Sequence, residues 1–503
     1  MSLLLPILTT LTVLLSGGSA TSPDDIQHWC RFTPHPNSCL RYTPNLPHPT
    51  TPATFFDLSV SAALRRAFQA EAHLRLQRSK CNRNPSLARA WSDCALLYNH
   101  TILHLNRSLT AAAAADKQTW LSAALTNLDT CLDGFSEEFA RPLQAYNVTD
   151  LISNSLAVNA NMGRPPPAAA EEDWAERGLR RLLQAEAELV VAKDGSGDYG
   201  TVGEAIRVAE GKRTVGLNKG RLVIRVKGGV YEEYLQIGSG LVNLTLIGDG
   251  KGVTIITGNR SAANGFTTFS SPTVSVFGDG FIAQNLTFRN TYGPTPQAPA
   301  LLVASDHSII HQCSIEGYQD TLCVFSQRQF YSKCDIYGTI DFIFGNAAAI
   351  FQECNIIGRR PLLGQSIAIT AQGRNDPNQN TGIVIQKCVI TSGQDLWPVH
   401  RTVRTYLGRP WMKYSRTIYM QSQLGSLIHP SGWLEWDGNF ALDTLYYAEF
   451  NNTGPGSRMS KRVRWKGYHI IVKPSLVRNF TVANFLAGGL WIGAAGVPFT
   501  SGL

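Results

Sequence analysis

The chain lacks the short motifs that mark several common hydrolases. No Gly-x-Ser-x-Gly nucleophile elbow occurs among its 503 residues, which excludes the serine hydrolases built on that turn. No His-Glu-x-x-His pair is present, and the 11 histidines are scattered, which argues against a zinc site of that kind. The acidic residues form no dense cluster of the sort that holds calcium. Any hydrolytic chemistry must therefore come from other residue types.

The chain is also short of negative charge and of long apolar runs. It has 45 Lys and Arg against 37 Asp and Glu, so its net charge of +8 favours an acidic partner. Such a partner is a nucleic acid, a membrane surface or an anionic polysaccharide. The apolar run Leu3–Leu15 is too short to span a membrane comfortably. Small residues follow it at 18–20, which predicts a secretory signal peptide over residues 1–20 and no stable membrane insertion.

Asn-x-Ser/Thr triplets are frequent along the rest of the chain. They predict glycosylation of a secreted, extracellular protein. Export disfavours nucleic acid as a partner and leaves an acidic polysaccharide as the best match to the charge. The eight triplets begin at Asn99, Asn106, Asn147, Asn243, Asn259, Asn285, Asn451 and Asn479.

Ten cysteines in an exported chain favour disulfides. Five lie before residue 180 and five after residue 310, so at least one thiol in each half stays free unless the halves are joined. Cys313, Cys334 and Cys354 recur at similar spacing. If they stack in successive coils about 4.8 Å apart, geometry alone allows either a 313–334 or a 334–354 bridge.

The N-terminal part of the chain has helical periodicity. Residues 55–76, 86–109, 116–133 and 136–160 are rich in Ala and Leu, with apolar residues three and four apart, which predicts an all-α four-helix bundle over residues 24–160. Asp57 and Ser86 are the expected N-caps. A Pro- and Ala-rich linker follows over residues 161–183, and its Arg180-Arg181 pair predicts cleavage by a processing protease.

The part that begins at residue 184 repeats itself with a period near 20 residues. Five short segments align with one another, and alternation within them has the period of a strand. This pattern predicts a β-solenoid, specifically an all-β right-handed parallel β-helix over residues 184–503. The aligned positions are Asn285, Cys313, Cys334, Cys354 and Cys388.

Two acids share one phase of this repeat. Asp320 follows Cys313 by seven residues, and Asp341 follows Cys334 by seven. Stacked strands lie about 4.8 Å apart, so the two carboxyl groups should be near neighbours. An Asp beside a Gly is usually a turn residue, but a matched pair of like charges is costly and rarely accidental. The spacing therefore predicts an acid/base or nucleophile/acid site.

Over almost the whole mature chain, ordered motifs resemble those of the plant pectin methylesterases that carry an N-terminal inhibitor-like pro-region. The catalytic-domain motifs begin at Gly229, Gln297, Gly317, Asp341 and Leu407. The helical part is similar to the inhibitor family at residues 33–39 and 130–135, and residues 180–183 resemble the family's processing site.

The resemblance implies an esterase that removes methyl groups from cell-wall pectin, a methylesterified homogalacturonan, and releases methanol. Asp341 would be the nucleophile, and Asp320 the acid that protonates methanol and then the base that activates water. Gln297 and Gln319 would stabilise the oxyanion. Arg409 would orient and ionise Asp341, pushing the proton onto Asp320.

The resemblance also implies further features. Thr267, Phe344 and Trp411 would contact the substrate. The disulfides would be Cys334–Cys354 in the β-helix, with Cys30–Cys39 and Cys94–Cys131 in the inhibitor-like part. It implies no cofactor and no metal. It further implies a monomer located in the cell wall, whose partners are pectin, its own pro-region and the processing protease.

The chain departs from the family around Gln297, because Pro296 and Pro299 flank it and proline removes backbone donors. One alternative is therefore a non-catalytic or weakly active wall-binding homologue. A second is a pectin-depolymerising β-helix enzyme, which would cleave chains rather than release methanol. The absence of Gly-His-Gly argues against the hydrolase version of that enzyme. The apolar C-terminus, Asn484–Phe499, is expected to cap the β-helix rather than to signal a lipid anchor.

Overall fold

A computed structural model describes residues 26–43, 51–82, 84–162, 189–214 and 220–503. The predicted signal peptide, nearly all of the predicted linker and the Arg180-Arg181 pair lie outside these residues. No helix within the described ranges is both long enough and apolar enough to cross a membrane.

Among the described residues, eight helices form the N-terminal part, and the four longest pack around one apolar core as a bundle. The core includes Phe56, Leu97, Leu121 and Leu156, which are all fully or almost fully buried. The helices are α1 (Ile26–Cys30), α2 (Pro36–Tyr42), α3 (Pro52–Leu76), α4 (Arg78–Cys81), α5 (Pro85–Thr110), α6 (Ala114–Asp133), α7 (Glu137–Gln144) and α8 (Val148–Asn161).

The helix limits differ from prediction in two ways. The helix expected over residues 136–160 is two helices, α7 and α8, because Asn147 between them has a left-handed φ of 54°. The predicted N-caps are wrong. Thr51 caps α3 in a capping box with Thr54 and leaves Asp57 inside the helix. Asn84 caps α5, because its side chain accepts from the Ser86 and Leu87 amides.

Three parallel sheets form the predicted β-helix, one strand of each per regular coil. The 11-stranded sheet A contains β1 (Leu189–Val191), β2 (Leu222–Val226), β5 (Leu244–Gly248), β8 (Ile282–Gln284), β11 (Ser308–His311), β14 (Arg328–Ser332), β17 (Ala348–Gln352), β20 (Gly382–Gln386), β23 (Arg416–Met420), β25 (Tyr446–Phe450) and β26 (Tyr468–Ile471). The eight-stranded sheet B contains β3 (Gly229–Glu232), β6 (Thr254–Gly258), β9 (Thr287–Asn290), β12 (Ser314–Glu316), β15 (Asp335–Gly338), β18 (Asn355–Gly358), β21 (Val389–Ser392) and β24 (Gln423–Leu424). The seven-stranded sheet C contains β4 (Leu235–Ile237), β7 (Val274–Val276), β10 (Leu301–Val303), β13 (Leu322–Val324), β16 (Ile340–Gly345), β19 (Ile367–Gln372) and β22 (Thr405–Gly408).

In-register ladders of like side chains fill the interior of the coil. Ile315, Ile336, Ile356 and Ile390 pair one above the other on sheet B, and all are 1% exposed or less. Such ladders bury apolar area in every coil, so each coil depends on its neighbours. Helix α9 (Val202–Thr214) packs against the first strands and joins this core.

The C-terminus does not cap the coil as expected. Its two short helices, α10 (Pro474–Val477) and α11 (Val482–Phe485), belong to an apolar layer on the outer face of sheet A. Glutamines anchor the end of the chain there, since Gln352 exchanges hydrogen bonds of 2.7 and 3.0 Å with the Thr500 backbone. The segment covers the side of the β-helix, where sheet A presents an outward apolar face.

The repeat differs by one residue from its predicted alignment in the coil before Cys313. Thr287 pairs with Ser314, so Leu286 rather than Asn285 stands level with Cys313. Asn285 instead occupies the corner before it, with a φ of 57°, and Lys333 and Glu353 have the same left-handed conformation at this corner in later coils. The corner position tolerates polar residues, so the sequence there does not show which residue is level with Cys313.

Two of the three disulfides form as the resemblance implied. Cys30 bonds to Cys39, and Cys94 bonds to Cys131, which joins α5 to α6. The prediction of a Cys334–Cys354 bridge is wrong for this structure, because both thiols are free and buried. Side chains in an in-register parallel stack point the same way instead of facing each other. Each thiol therefore lies against a carbonyl of the preceding coil, with Cys334 Sγ 3.2 Å from the Ile310 oxygen.

The predicted glycosylation sites fall into two groups by exposure. The exposed asparagines are Asn99, Asn106, Asn259, Asn451 and Asn479. The half-buried ones are Asn147, Asn243 and Asn285. Glycosylation itself remains a prediction at all of them.

Candidate active site

Asp320 and Asp341 occupy equivalent positions in neighbouring coils. Asp320 lies in the turn between β12 and β13, and Asp341 is the second residue of β16. Two residues after each aspartate, Leu322 pairs in register with Ile343. The Asp320 amide donates to the Ile340 carbonyl at 3.0 Å. The repeat thus stacks the two acids as its phase predicts.

The backbone at this pair is unusual in both coils. The two aspartates have left-handed φ values of 61° and 51°, a conformation that few non-glycine residues adopt, although this β-helix also uses it at corners such as Asn285 and Lys333. A glycine precedes each aspartate by three residues. A Cβ on Gly338 would lie 2.2 Å from the Phe342 Cβ, and one on Gly317 would lie 2.7 Å from the Thr321 Oγ1. The matched glycines are therefore needed for the close approach of the chain in these turns.

Arg409 holds one of the two carboxyl groups. It follows β22, and its Nε and Nη2 donate to the two carboxylate oxygens of Asp341 at 2.8 and 2.6 Å. A two-point contact of this kind fixes the carboxylate plane and favours its charged form. No described residue donates a side-chain hydrogen bond to Asp320. The two stacked acids therefore have different surroundings.

The pKa values follow from these surroundings. Burial raises the pKa of Asp320 well above its usual range, the charge of Asp341 raises it further, and Arg409 only partly offsets this. Burial also raises the pKa of Asp341, although the hydrogen bonds and charge of Arg409 lower it. Sequence reasoning predicted the effect of Arg409 but not this burial. The arrangement favours a proton on Asp320 and a charge on Asp341.

Gln297 and Gln319 lie beside the pair in successive coils. The Ala298 amide donates to the Gln319 carbonyl at 3.2 Å, so the two glutamine segments are stacked. Both side chains line the same cavity as the aspartates. The flanking prolines have not removed Gln297 from this cavity. Pro299 itself uses its carbonyl to accept from Asn290 at 3.0 Å, which ties the segment to the end of the preceding strand, β9.

Aromatic side chains form a wall of the cavity. The rings of Phe344 and Trp411 meet edge to face at 6.1 Å, and Gly373 makes room for Trp411, since a Cβ there would lie 2.8 Å from its Cε3. Sequence reasoning missed Trp436, whose ring lies 4.4 Å from the Arg409 guanidinium carbon. The signal available was a tryptophan set between Glu435 and Asp437, in a polar stretch where a core residue is not expected.

The helical bundle covers this cavity. A space of about 580 Å³ is lined both by the catalytic candidates and by Asp93, Thr126 and Asp129 of the bundle. Thr267 lies in the cavity wall and donates a short hydrogen bond to Asp93. Burial raises the pKa of Asp93 to about 6 and that of Asp129 to about 7. The bundle therefore presents acidic groups to the cavity.

The bundle makes its polar contacts around the catalytic candidates rather than with them. The Asn346 amide donates to the Thr126 hydroxyl at 2.9 Å, and the Ser153 hydroxyl donates to Asp376 at 2.5 Å. Cys323, which the sequence places just after the acid, is buried in the apolar layer between the two domains. In the described chain, no bundle side chain hydrogen-bonds to Asp320, Asp341 or Arg409.

A buried carboxyl pair in unequal surroundings, with an arginine and two amides around it on a parallel β-helix, fits the class of acyl-transfer enzymes that work through an aspartate. Comparison with known proteins agrees with that class. The family model described as Pectinesterase matches residues 188–489. The model described as Plant invertase/pectin methylesterase inhibitor matches residues 24–158.

Individual proteins match over nearly the same span. The chain is 48% identical to Pectinesterase 2 of Citrus sinensis, over 99% of this chain and 100% of that one. It is 49% identical to Probable pectinesterase/pectinesterase inhibitor 17 of Arabidopsis thaliana, over 96% of each. The structure of pectin methylesterase from carrot is 51% identical with a TM-score of 0.62, covering 63% of this chain and 99% of that one. The chain belongs to the pectinesterase family, the carboxylic ester hydrolases that act on pectin.

Proposed function

We propose that the β-helix domain removes methyl groups from the galacturonate units of cell-wall pectin through a covalent intermediate on Asp341. The observation that carries this proposal is the pair of hydrogen bonds that Arg409 gives to Asp341, whereas no side chain among the described residues gives one to Asp320. A charged carboxylate serves as the nucleophile, and a protonated neighbour serves as the acid.

In the first half of the reaction, an Asp341 oxygen attacks the ester carbonyl carbon. The carbonyl oxygen becomes an oxyanion that accepts hydrogen bonds from the amide groups of Gln297 and Gln319. The carbon–methoxy bond then breaks, and Asp320 gives its proton to the methoxy oxygen. Methanol leaves, and the galacturonate acyl group stays on Asp341 as a mixed anhydride.

In the second half, Asp320 is an anion and acts as the base. It removes a proton from water as the water oxygen attacks the acyl carbon, and the bond to Asp341 breaks. The product forms as a carboxylic acid that keeps the second proton of the water and then releases it to the solvent. Asp341 regains its negative charge beside Arg409, and Asp320 regains its proton from the attacking water. Trp411 and Phe344 offer flat apolar faces against which sugar rings can pack.

The helical bundle acts as a pro-region that keeps the polymer out of the cleft. Its support is the shared cavity, in which Asp93 and Thr126 lie over the same space as Asp320 and Asp341. The protein is exported as a glycosylated monomer to the cell wall, and cleavage at Arg180-Arg181 frees the β-helix.

Methanol release from highly methylated pectin tests the proposal. The cleaved protein should release methanol without shortening the polymer, and the intact chain should release far less. Falling polymer length would instead indicate a depolymerising enzyme. Binding to pectin without methanol release would indicate a non-catalytic homologue, the alternative suggested by the prolines beside Gln297.

A further inference from the structure

Charged residues join the two domains at a place away from the catalytic groups. Arg107 of α5 donates to Asp279 of the β-helix with 2.5 Å between Nη2 and Oδ2. Asp279 lies in the turn after β7, whereas the glutamine and aspartate of the site precede β10 and β13. Sheet C strands rise about 3.3 Å per residue, so a three-residue strand puts roughly 10 Å between its two ends.

A second ion pair lies beside the first with the charges reversed. Asp116 of α6 contacts Arg328 of the β-helix at 2.8 Å. Arg328 is also held by Asp306 of its own domain, with hydrogen bonds of 2.9 and 2.6 Å. Asp306 in turn donates its amide to Asp279 at 2.9 Å. These five residues form one connected network, named here the rim clamp.

The rim clamp is built to hold its geometry. The Arg107 guanidinium carbon lies 4.4 Å from the centre of the Trp120 ring, which limits its freedom. Arg328 and Asp306 have only 7% and 4% of their side chains exposed. A space of about 400 Å³ borders the network and is lined by Arg221, Asp279 and Arg328 among others. Arg107 and Asp279 keep 29% and 24% of their side chains exposed, so salt weakens this ion pair more than the buried one.

We propose that the rim clamp decides how firmly the helical bundle stays on the β-helix after the linker is cut. After cleavage, the two pieces then separate at a rate that the rim clamp and the ionic strength together set. The partner is the helical bundle of the same chain. Its Arg107 and Asp116 lie opposite Asp279 and Arg328 of the β-helix. The idea rests on the proposed release of the bundle, but binding tests it without any measurement of esterase activity.

The experiment uses the full chain with a specific protease site placed within residues 163–188. After cleavage, the rate at which the pieces separate is followed by size-exclusion chromatography over a range of NaCl concentrations. Arg107→Glu should speed separation by at least about tenfold at low salt, since it puts two negative groups together at a contact that decides dissociation. The pair of changes Arg107→Glu and Asp279→Arg should return the rate to within about threefold of the unmodified protein.

Arg141→Glu is the matched control. Arg141 makes an exposed ion pair with Glu137 inside α7 and contacts no β-helix residue through it. This variant carries the same change of charge in the same domain and should separate at the unmodified rate. Equal rates for Arg107→Glu and Arg141→Glu, or separation that does not depend on salt, would overturn the proposal. Rescue by the exchanged pair shows that the single variant is folded, and failure of that rescue counts against the clamp.

Discussion

The turn that carries Asp320 and the strand that carries Asp341 share a backbone conformation but not their surroundings. Both aspartates have a left-handed φ and stand one coil apart. Only Asp341 is bound by Arg409, which comes from 68 residues further along the chain. The repeat therefore supplies two like positions, and a single distant side chain makes them chemically different. This difference predicts that substitutions of the two aspartates lower the rate of methanol release by different factors.

Removal of the charge at Asp341 should have the largest effect. Asp341→Asn leaves no anionic nucleophile, and loss of a nucleophile costs on the order of 10⁴- to 10⁶-fold in kcat. Methanol release by the cleaved protein measures it. Asp335→Asn is the control, because Asp335 lies one strand earlier and pairs with Lys251 on the outside of the coil. Substantial turnover by Asp341→Asn would end the nucleophile assignment.

Loss of Asp320 should be less severe. Asp320→Asn keeps Asp341 and its arginine but removes the proton donor, which is worth about 10²- to 10⁴-fold. Methanol release under the same conditions measures the difference. An equal fall in kcat for the two asparagine variants would contradict the unequal roles of the two acids. A larger loss at Asp320 would reverse the roles.

The two glutamines come next. Gln297→Leu and Gln319→Leu should each lower kcat by about 10²- to 10³-fold with little change in KM, because the oxyanion exists only in the transition state. Gln236→Leu is the control, since Gln236 is exposed on β4 of the same sheet. A normal kcat for Gln297→Leu would mean that the proline-flanked segment has lost its part in the reaction.

Substitution of Trp436 should have the smallest effect on kcat. Trp436→Leu removes the ring that lies against Arg409, a contact worth about 1 kcal/mol, so kcat should fall about fivefold. Trp436→Tyr should restore most of it, because a tyrosine ring also attracts a cation. Trp397→Leu is the control at an exposed tryptophan that stacks on His400. An equal fall in both leucine variants would show that Trp436 does not position Arg409.

Much of this site was readable from the sequence because the repeat carries it. A period near 20 residues with glycines at matched offsets predicted the stacked acids, and the Leu407–Trp411 motif supplied Arg409. Local chemistry also predicted α3, α5 and α6, but it joined α7 and α8 into one helix. The alignment of Asn285 slipped by one residue, since its corner accepts many polar side chains and thus gives no periodic signal.

Contacts between distant surfaces were out of reach. The hydrogen bond from Thr267 to Asp93 joins residues 174 apart, and although the resemblance singled out Thr267, nothing near either residue predicts that the two meet. The same holds for Arg107 and Asp279 in the rim clamp. The burial that raises the pKa of Asp341 follows from how the chain covers the site, so sequence reasoning saw only the arginine beside it.

The pH–rate profile of the cleaved protein tests the unequal protonation most directly. With the proposed roles, activity needs Asp341 charged and Asp320 protonated. In the full chain, burial and then the charge of Asp341 raise the pKa of Asp320 well above its usual range, and the charge of Asp341 stays beside Asp320 after cleavage. The value of kcat/KM should therefore rise as pH passes the pKa of Asp341 and fall as it passes the pKa of Asp320. In Asp320→Asn the residual activity should keep the rise and lose the fall. An alkaline fall that persists unchanged in Asp320→Asn would contradict the assignment of the proton to Asp320.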